Sequence, residues 1–366
     1  MKKLFALILV AGIILVSCTK EDNPEVEVTF SEEEVASIDM LNKTAFRLYD
    51  EFITDKTKAH TFSPLSVEFT LGMEANSVDH PDLVAFLEQN SLNSGNSLFE
   101  KIGKKLNRKK DGNESSLSNA LFNNILYPKD KNLNSAAKNS FKADIFDEDF
   151  SASKEVTDKI HDWLMKNTKE FLSIPKVAVE PLWRRVLCNS LYFKHEWAFP
   201  FKVEDTKMAD FTGADENVRK VPMMNITHKF NYYSSSSMTA LEMPYANNSF
   251  SMMFILCDKD NVDYEDLQTV RKGLKDNTVK AFIPRFDTET SLLFDMETFG
   301  YQNLFGLHVA RVKTDEKGTE AAAITELIDC ASSLKPDVVF FKADRPFFYV
   351  ITDNETGLIL FIGRYC

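Results

Sequence analysis

The chain is poor in the groups that carry most recognisable chemistry. Among its 366 residues are five cysteines and six histidines. No pair of Cys stands in a CxxC arrangement and no His lies in an HExxH pattern, so neither a metal site nor a metalloprotease is expected. A Gly-x-Ser-x-Gly elbow and a Walker-type Gly-rich loop are both missing, and no internal repeat or long low-complexity tract appears. Positive charge is also short, with 43 Lys and Arg against 55 Asp and Glu for a formal charge of −12. Nucleic acid and anionic membrane surfaces are therefore poor partners. No catalytic residue, metal or cofactor is expected, and the chain reads as something other than an enzyme.

What is present is apolar. A hydrophobic content of 44%, with 12% aromatic residues, suffices for one large domain or two small ones. Leu41, Ala45, Leu48 and Phe52 recur at helical spacing, and Ile160, Trp163, Leu164 and Asn167 mark a second helix. Val186–Phe193 is a nearly continuous run of the kind buried within a large sheet. Similar runs lie at Ser251–Leu256, Val279–Ile283, Val338–Phe341, Phe347–Ile351 and Leu358–Ile362, the last two flanking a hairpin signal at Asn354-Glu355-Thr356-Gly357. Helices come mainly first and strands mainly later, which predicts an α+β fold.

Met1-Lys2-Lys3 and the apolar run Leu4–Val16 form a signal peptide, too short to span a bilayer. Leu15-Val16-Ser17-Cys18 resembles the lipobox of bacterial lipoproteins, which implies acylation of Cys18; the alternative is a plain secretory signal with a chance Cys. Thr19-Lys20-Glu21-Asp22 resembles a lipoprotein surface-export signal, or is simply a solvated tether. The expected division is a signal peptide over 1–17, a lipidated flexible tether over 18–34 and one domain over 35–366. Its expected location is the outer membrane or cell surface, on the periplasmic or extracellular side. Cys188 and Cys257 sit in apolar runs and read as small core residues. Whether Cys330 is free, oxidised or bridged to Cys366 is left open.

Two segments carry a family resemblance. Glu316-Lys317-Gly318-Thr319-Glu320-Ala321-Ala322-Ala323-Ile324-Thr325 resembles the reactive-loop hinge of the serpins, and Phe341-Lys342-Ala343-Asp344-Arg345-Pro346-Phe347-Phe348-Tyr349-Val350-Ile351, closed by Gly363-Arg364, is similar to their C-terminal signature. Phe62-Ser63-Pro64-Leu65-Ser66-Val67, Asn119-Ala120-Leu121-Phe122, Tyr192-Phe193-Lys194, Lys220–Met224, Leu241–Tyr245 and Ile283–Phe286 extend the likeness over nearly the whole mature chain. The resemblance implies helices packed around a large central mixed sheet, with further antiparallel sheets and an exposed reactive-centre loop at about 316–337.

It also implies roles. Ser63, Ser66, Asn189 and His308 would form the polar shutter of the central sheet, and Trp197, Arg285 and Glu316 the breach where the loop first enters. The hinge would be Gly318, Thr319, Glu320, Ala321, Ala322 and Ala323. Family spacing, fourteen residues after Gly318 and fourteen before Pro346, puts the bait bond at Ser332-Ser333. Thr319, Ala321, Ala323, Thr325 and Leu327 would face the core after insertion, as an inhibitory loop requires, with Asp329 the one charge on that face. Small residues at Cys330-Ala331-Ser332 suit an elastase-like serine protease; trypsin-like cleavage at Lys335 and a cysteine protease are the alternatives. The expected partners are that protease and the membrane holding the lipid anchor, with the chain acting as a monomer. The competing reading is a non-inhibitory binding protein of the same fold. One departure stands out: only Gly306 and Leu307 separate Phe305 from His308, where the family usually has some twenty residues including a small helix.

Overall fold

The computed structural model describes residues 28–79, 83, 95–259, 261–295, 305–319 and 338–366. Helix α1 (Glu32–Phe52) starts three residues inside the segment expected to be tether, because Ser31 and Glu34 close a capping box. The acidic run Glu32-Glu33-Glu34 sits at the positive end of the helix dipole rather than in a solvated linker. After the short strand β1 (His60–Phe62) come α2 (Pro64–Glu74) and α3 (Gly95–Leu106). Strands β2 (Arg108–Lys110) and β3 (Asn113–Asn124), α4 (Lys131–Asn139), β4 (Asp144–Glu148) and α5 (Ser153–Asn167) follow.

The second half is nearly all strand: β5 (Arg185–Glu196), β6 (Lys207–Thr212), β7 (Val218–Ser234), β8 (Met238–Pro244) and β9 (Phe250–Cys257). Helix α6 (Tyr264–Gly273) then leads to β10 (Lys275–Pro284), β11 (Phe286–Asp295), β12 (Phe305–Thr314) and the two-residue β13 (Gly318–Thr319). The chain closes with β14 (Val339–Lys342), β15 (Phe347–Asp353) and β16 (Ile359–Tyr365). Each apolar run picked out of the sequence falls on one of these strands, with Val338 and Leu358 standing just ahead of β14 and β16. The expected hairpin joins β15 to β16, with Gly357 at φ 72° and its amide on the Asp353 carbonyl.

The strands form two sheets. A nine-stranded sheet runs β1-β16-β15-β9-β8-β7-β10-β14, with β6 on β7; a seven-stranded sheet runs β11-β12-β13-β5-β3-β2, with β4 on β3. This is an α+β architecture with helices around a large mixed sheet and a further, mainly antiparallel one. Helix α5 covers one face of the seven-stranded sheet, burying Val156, Ile160 and Trp163 against Ala120, Phe122 and Cys188. On the other face, Leu65, Phe69, Met73, Phe99 and Ile102 from α2 and α3 share a core with Leu121, Leu191 and Phe193 and with the second sheet. Cys188 is the small core residue expected, and burial pushes its thiol up to about 12, so it is chemically inert. Among the described residues Cys366 is bridged to no other cysteine.

The closing Gly363-Arg364 has a packing cause. Gly363 pairs across the ladder with Tyr349, and a Cβ there would sit 2.2 Å from the Tyr349 ring. Tyr349 needs that space to reach Thr61 and Thr288, which its hydroxyl meets at 2.5 and 2.6 Å. Arg364 lies over the Phe348 ring and donates to the Lys56 carbonyl.

Candidate functional site

Strand β13 decides the geometry of the seven-stranded sheet. Gly318 and Thr319 pair antiparallel with Glu196 and His195 of β5, and Thr319 pairs antiparallel with Thr314 of β12. Among the described residues no ladder joins β12 to β5 directly, so these two residues are the link between the two parts of the sheet. They occupy the first rungs of a strand that would run down between β5 and β12, antiparallel to both.

Gly318 is required by close approach. A Cβ at this position would lie 2.2 Å from the His195 carbonyl oxygen and 2.6 Å from the Glu196 Cα. Thr319 is buried, its hydroxyl 2.7 Å from that of Tyr245. The turn before them is tied at four points. Trp197 N–H donates to the Lys317 carbonyl (2.7 Å), its indole Nε1 to the Asp315 carbonyl (3.1 Å), Phe201 N–H to the Glu316 carbonyl (2.8 Å) and Lys317 N–H to the Asp315 carboxylate (2.9 Å). The Trp197 indole stacks on Tyr245 with centroids 4.6 Å apart and planes 6° apart.

Arg285, between β10 and β11, grips the buried Glu316 carboxylate in a fork: Nε is 2.8 Å from both oxygens and a terminal nitrogen 2.5 Å from Oε1. The Thr206 hydroxyl, just ahead of β6, adds a third donor at 2.5 Å. Burial pushes the carboxyl up, but these donors outweigh it and hold its pKa below the usual carboxylate value. Trp197, Arg285 and Glu316 thus lie together at the turn ahead of β13. Thr206 and Tyr245 complete the cluster; Thr206 stands in a polar loop that offers no sequence signal for such a role.

Midway down the sheet, the structure joins three of the four expected shutter residues. Ser63 N–H donates to His308 Nε2 at 3.2 Å, and the Ser63 hydroxyl lies 3.0 Å from the Leu360 carbonyl and 3.1 Å from the Ser66 hydroxyl. Burial holds the His308 imidazole down to about 3, hence neutral. Asn189 is elsewhere. Its amide donates to Asn119 Oδ1 at 2.8 Å, while Asn119 donates to the Phe141 carbonyl at 2.8 Å, and the buried Asn189 Oδ1 has no partner among the described residues. The physical reason is the separation of β5 from β12: Asn189 and His308 stand on strands that share no ladder. Cys18, Glu320, Ala321, Ala322, Ala323, Cys330, Ser332 and Ser333 lie outside the described residues. Among the described residues no group of three or more His, Cys, Asp or Glu is placed to hold a metal.

A family model described as "Serpin (serine protease inhibitor)" matches residues 39–306 and 302–366. The chain is a serpin. It is 29% identical to a serpin-like protein of Methanosarcina acetivorans, over 88% of this chain and 84% of the relative. It is 28% identical to the leukocyte elastase inhibitor of Xenopus tropicalis, over 83% and 92%. The native structure of the thermophilic serpin tengpin superposes with a TM-score of 0.77 at 23% identity, covering 92% of this chain and 95% of that one. This serpin's family match falls into two segments that meet at 302–306, beside the shortened stretch before His308. Phe305 through His308 are consecutive residues of β12, leaving no room between them for a helix.

Proposed function

We propose that this serpin is a suicide inhibitor of an elastase-like serine protease, with its bait bond at Ser332-Ser333. The observation that carries the reading is β13: the loop's first two residues already pair with both strands that an inserting loop would have to part. In the reaction, the protease's serine Oγ bonds to the Ser332 carbonyl carbon. The Ser332–Ser333 C–N bond breaks, and the new Ser333 amine leaves with a proton. The freed loop then extends β13 downward, gaining ladder bonds on both sides, and carries the acyl-enzyme with it. Fourteen residues of strand reach about 46 Å. The Arg285–Glu316–Thr206 cluster and the Ser63–Ser66–His308 group act as the breach and shutter that control this opening. The likeness to an elastase inhibitor and the small residues Ala331 and Ser332 support the choice of target.

The test is to mix the chain lacking residues 1–18 with an elastase and separate the products under denaturing conditions. A covalent species at the summed mass and a released peptide beginning at Ser333 are expected. Cleavage near Ser332 with no covalent species, for elastase and then trypsin-like and papain-like proteases, would favour the non-inhibitory reading. We further propose that acyl chains on Cys18 hold this monomer at the cell envelope, on the strength of the lipobox likeness. Cys18→Ala should move the chain from the membrane fraction to the soluble one, and unchanged fractionation would reject the anchor.

A further inference from the structure

Between α5 and β5 the chain crosses the face of the seven-stranded sheet that α5 covers, and residues 169–173 touch four strands in turn. The Lys169 ammonium pairs with Glu114 of β3 and lies 4.6 Å from the centre of the Tyr192 ring of β5. Phe171 meets the same Tyr192 ring edge-on, with centroids 6.4 Å apart and planes at 87°. Arg311 of β12 donates to the Phe171 carbonyl at 2.9 Å, and its guanidinium carbon lies 4.9 Å from the centre of the Phe171 ring. Ser173 then gives its N–H and its hydroxyl to the Glu289 carboxylate of β11, at 2.5 and 2.9 Å.

The crossing lies just below β13. Tyr192 stands four residues before Glu196, the partner of Gly318, and Arg311 three residues before Thr314, the partner of Thr319. Among the described residues no ladder joins β5 to β12, so a seam runs between them below those rungs. Phe171 is one side chain packed at once on both walls of that seam: an aromatic ring on the β5 side and a guanidinium on the β12 side.

The backbone that delivers Phe171 is strained. Lys169 and Glu170 stand at φ 53° and 58°, two consecutive side-chain-bearing residues in the left-handed region, which such residues enter at a cost. They are held there from both ends. The Lys169 and Glu170 amides donate back to the Lys166 and Met165 carbonyls at the end of α5, at 3.2 and 2.9 Å, while Phe171 and Ser173 are gripped by the sheet. The strain is offset only while those grips last, so it favours letting go.

We infer that residues 169–173 form a strained strap that restrains the seam between β5 and β12, and that its release sets how fast a strand enters there. The inference deepens the loop-insertion reading proposed above by naming a control on the step. Any motion of β12 relative to β5 pulls Phe171 away from Tyr192 or from Arg311. The grip on the walls resists that motion, and the left-handed pair behind it lowers the cost of giving way.

The experiment needs no protease. Wild type, Phe171→Ala and Glu170→Asn are each incubated with a synthetic peptide of residues 319–329, and uptake is followed by native electrophoresis and by the rise in thermal midpoint. Phe171→Ala removes the ring that both walls share. Asn enters the left-handed region more easily than Glu, so Glu170→Asn seats the strap more firmly. Uptake should be about fivefold faster for Phe171→Ala and about twofold slower for Glu170→Asn. The rates of covalent complex formation with elastase should fall in the same order. Equal uptake by all three chains would overturn the strap, and so would two variants that shift in the same direction, the mark of general loosening. A wild-type chain that takes up no peptide has no seam to restrain, which also overturns it. Uptake in the expected order by a chain that elastase cuts without forming a complex would support the strap and overturn the trap.

Discussion

His60, His195 and His308 are buried, and burial holds their pKa values down to about 4, 3 and 3. His60 is well supplied, with Nε2 2.6 Å from the Tyr49 hydroxyl and Nδ1 2.8 Å from the Lys58 carbonyl. Among the described residues His195 has no hydrogen-bond partner at either ring nitrogen, and it is packed by Phe193 and Phe250. Each imidazole is neutral in the fold yet takes up a proton near pH 6.5 when unfolded. The unfolded chain therefore binds more protons between pH 6.5 and about 3, and stability falls as pH drops through that window. Glu316 adds to the acid side: its lowered pKa contributes stability above the ordinary carboxylate value, lost as pH falls through the lower folded one. The thermal midpoint of the native serpin should be flat above about pH 7 and decline below pH 6.5. His308→Gln should flatten the decline by up to one proton's worth, about 1.4 kcal/mol per pH unit. A midpoint independent of pH between 4 and 7 would contradict the neutral, buried placement of these rings.

At the scale of elements, β13 joins β5 to β12 through two residues, Gly318 and Thr319. Gly318→Val places side-chain atoms where the His195 carbonyl already stands, so the hinge must leave its rungs. The expected result with elastase is more cleaved loop and less covalent complex, read as a higher ratio of serpin consumed per protease inhibited; an unchanged ratio would mean that these two rungs do not matter to insertion. Much of this region was legible in the sequence. The Gly318-Thr319 pair, the β5 run and the meeting of Arg285 with Glu316 follow from residue types that the family likeness places, while Ala321, Ala322 and Ala323 lie outside the described residues. The missing pieces depend on contacts between distant segments. Thr206 is a hydroxyl in a polar loop until the fold sets it on Glu316, and Asn189 turns to Asn119 on the neighbouring β3, with which β5 shares its ladder. The acidic composition of 18–34 suggests a flexible tether, and its last three residues, Glu32-Glu33-Glu34, form the first turn of α1, where Ser31 and Glu34 close a capping box and acids favour the helix N-terminus.

Across the whole molecule, the sheet is built in two parts that meet at its upper end, with the ion-paired Arg285–Glu316 cluster at that end and the Arg185 clamp at the other. At this other end Arg185 binds Glu74 at 2.6 Å and Asp79 at 2.9 Å, which fastens the foot of β5 to the end of α2. There the shortened stretch before His308 leaves β12 to begin directly at Phe305. The central claim is that the loop, once cut, becomes a full strand between β5 and β12. The most direct measurement is the thermal midpoint of the serpin before and after cleavage near Ser332 by an elastase, with the cut confirmed by mass. The account predicts that the cut chain unfolds at a clearly higher temperature, because a new strand adds ladder bonds on both sides and buries Ala321, Ala323, Thr325 and Leu327. A midpoint that stays the same or falls would mean that the cut loop remains outside the sheet, and would contradict the trap.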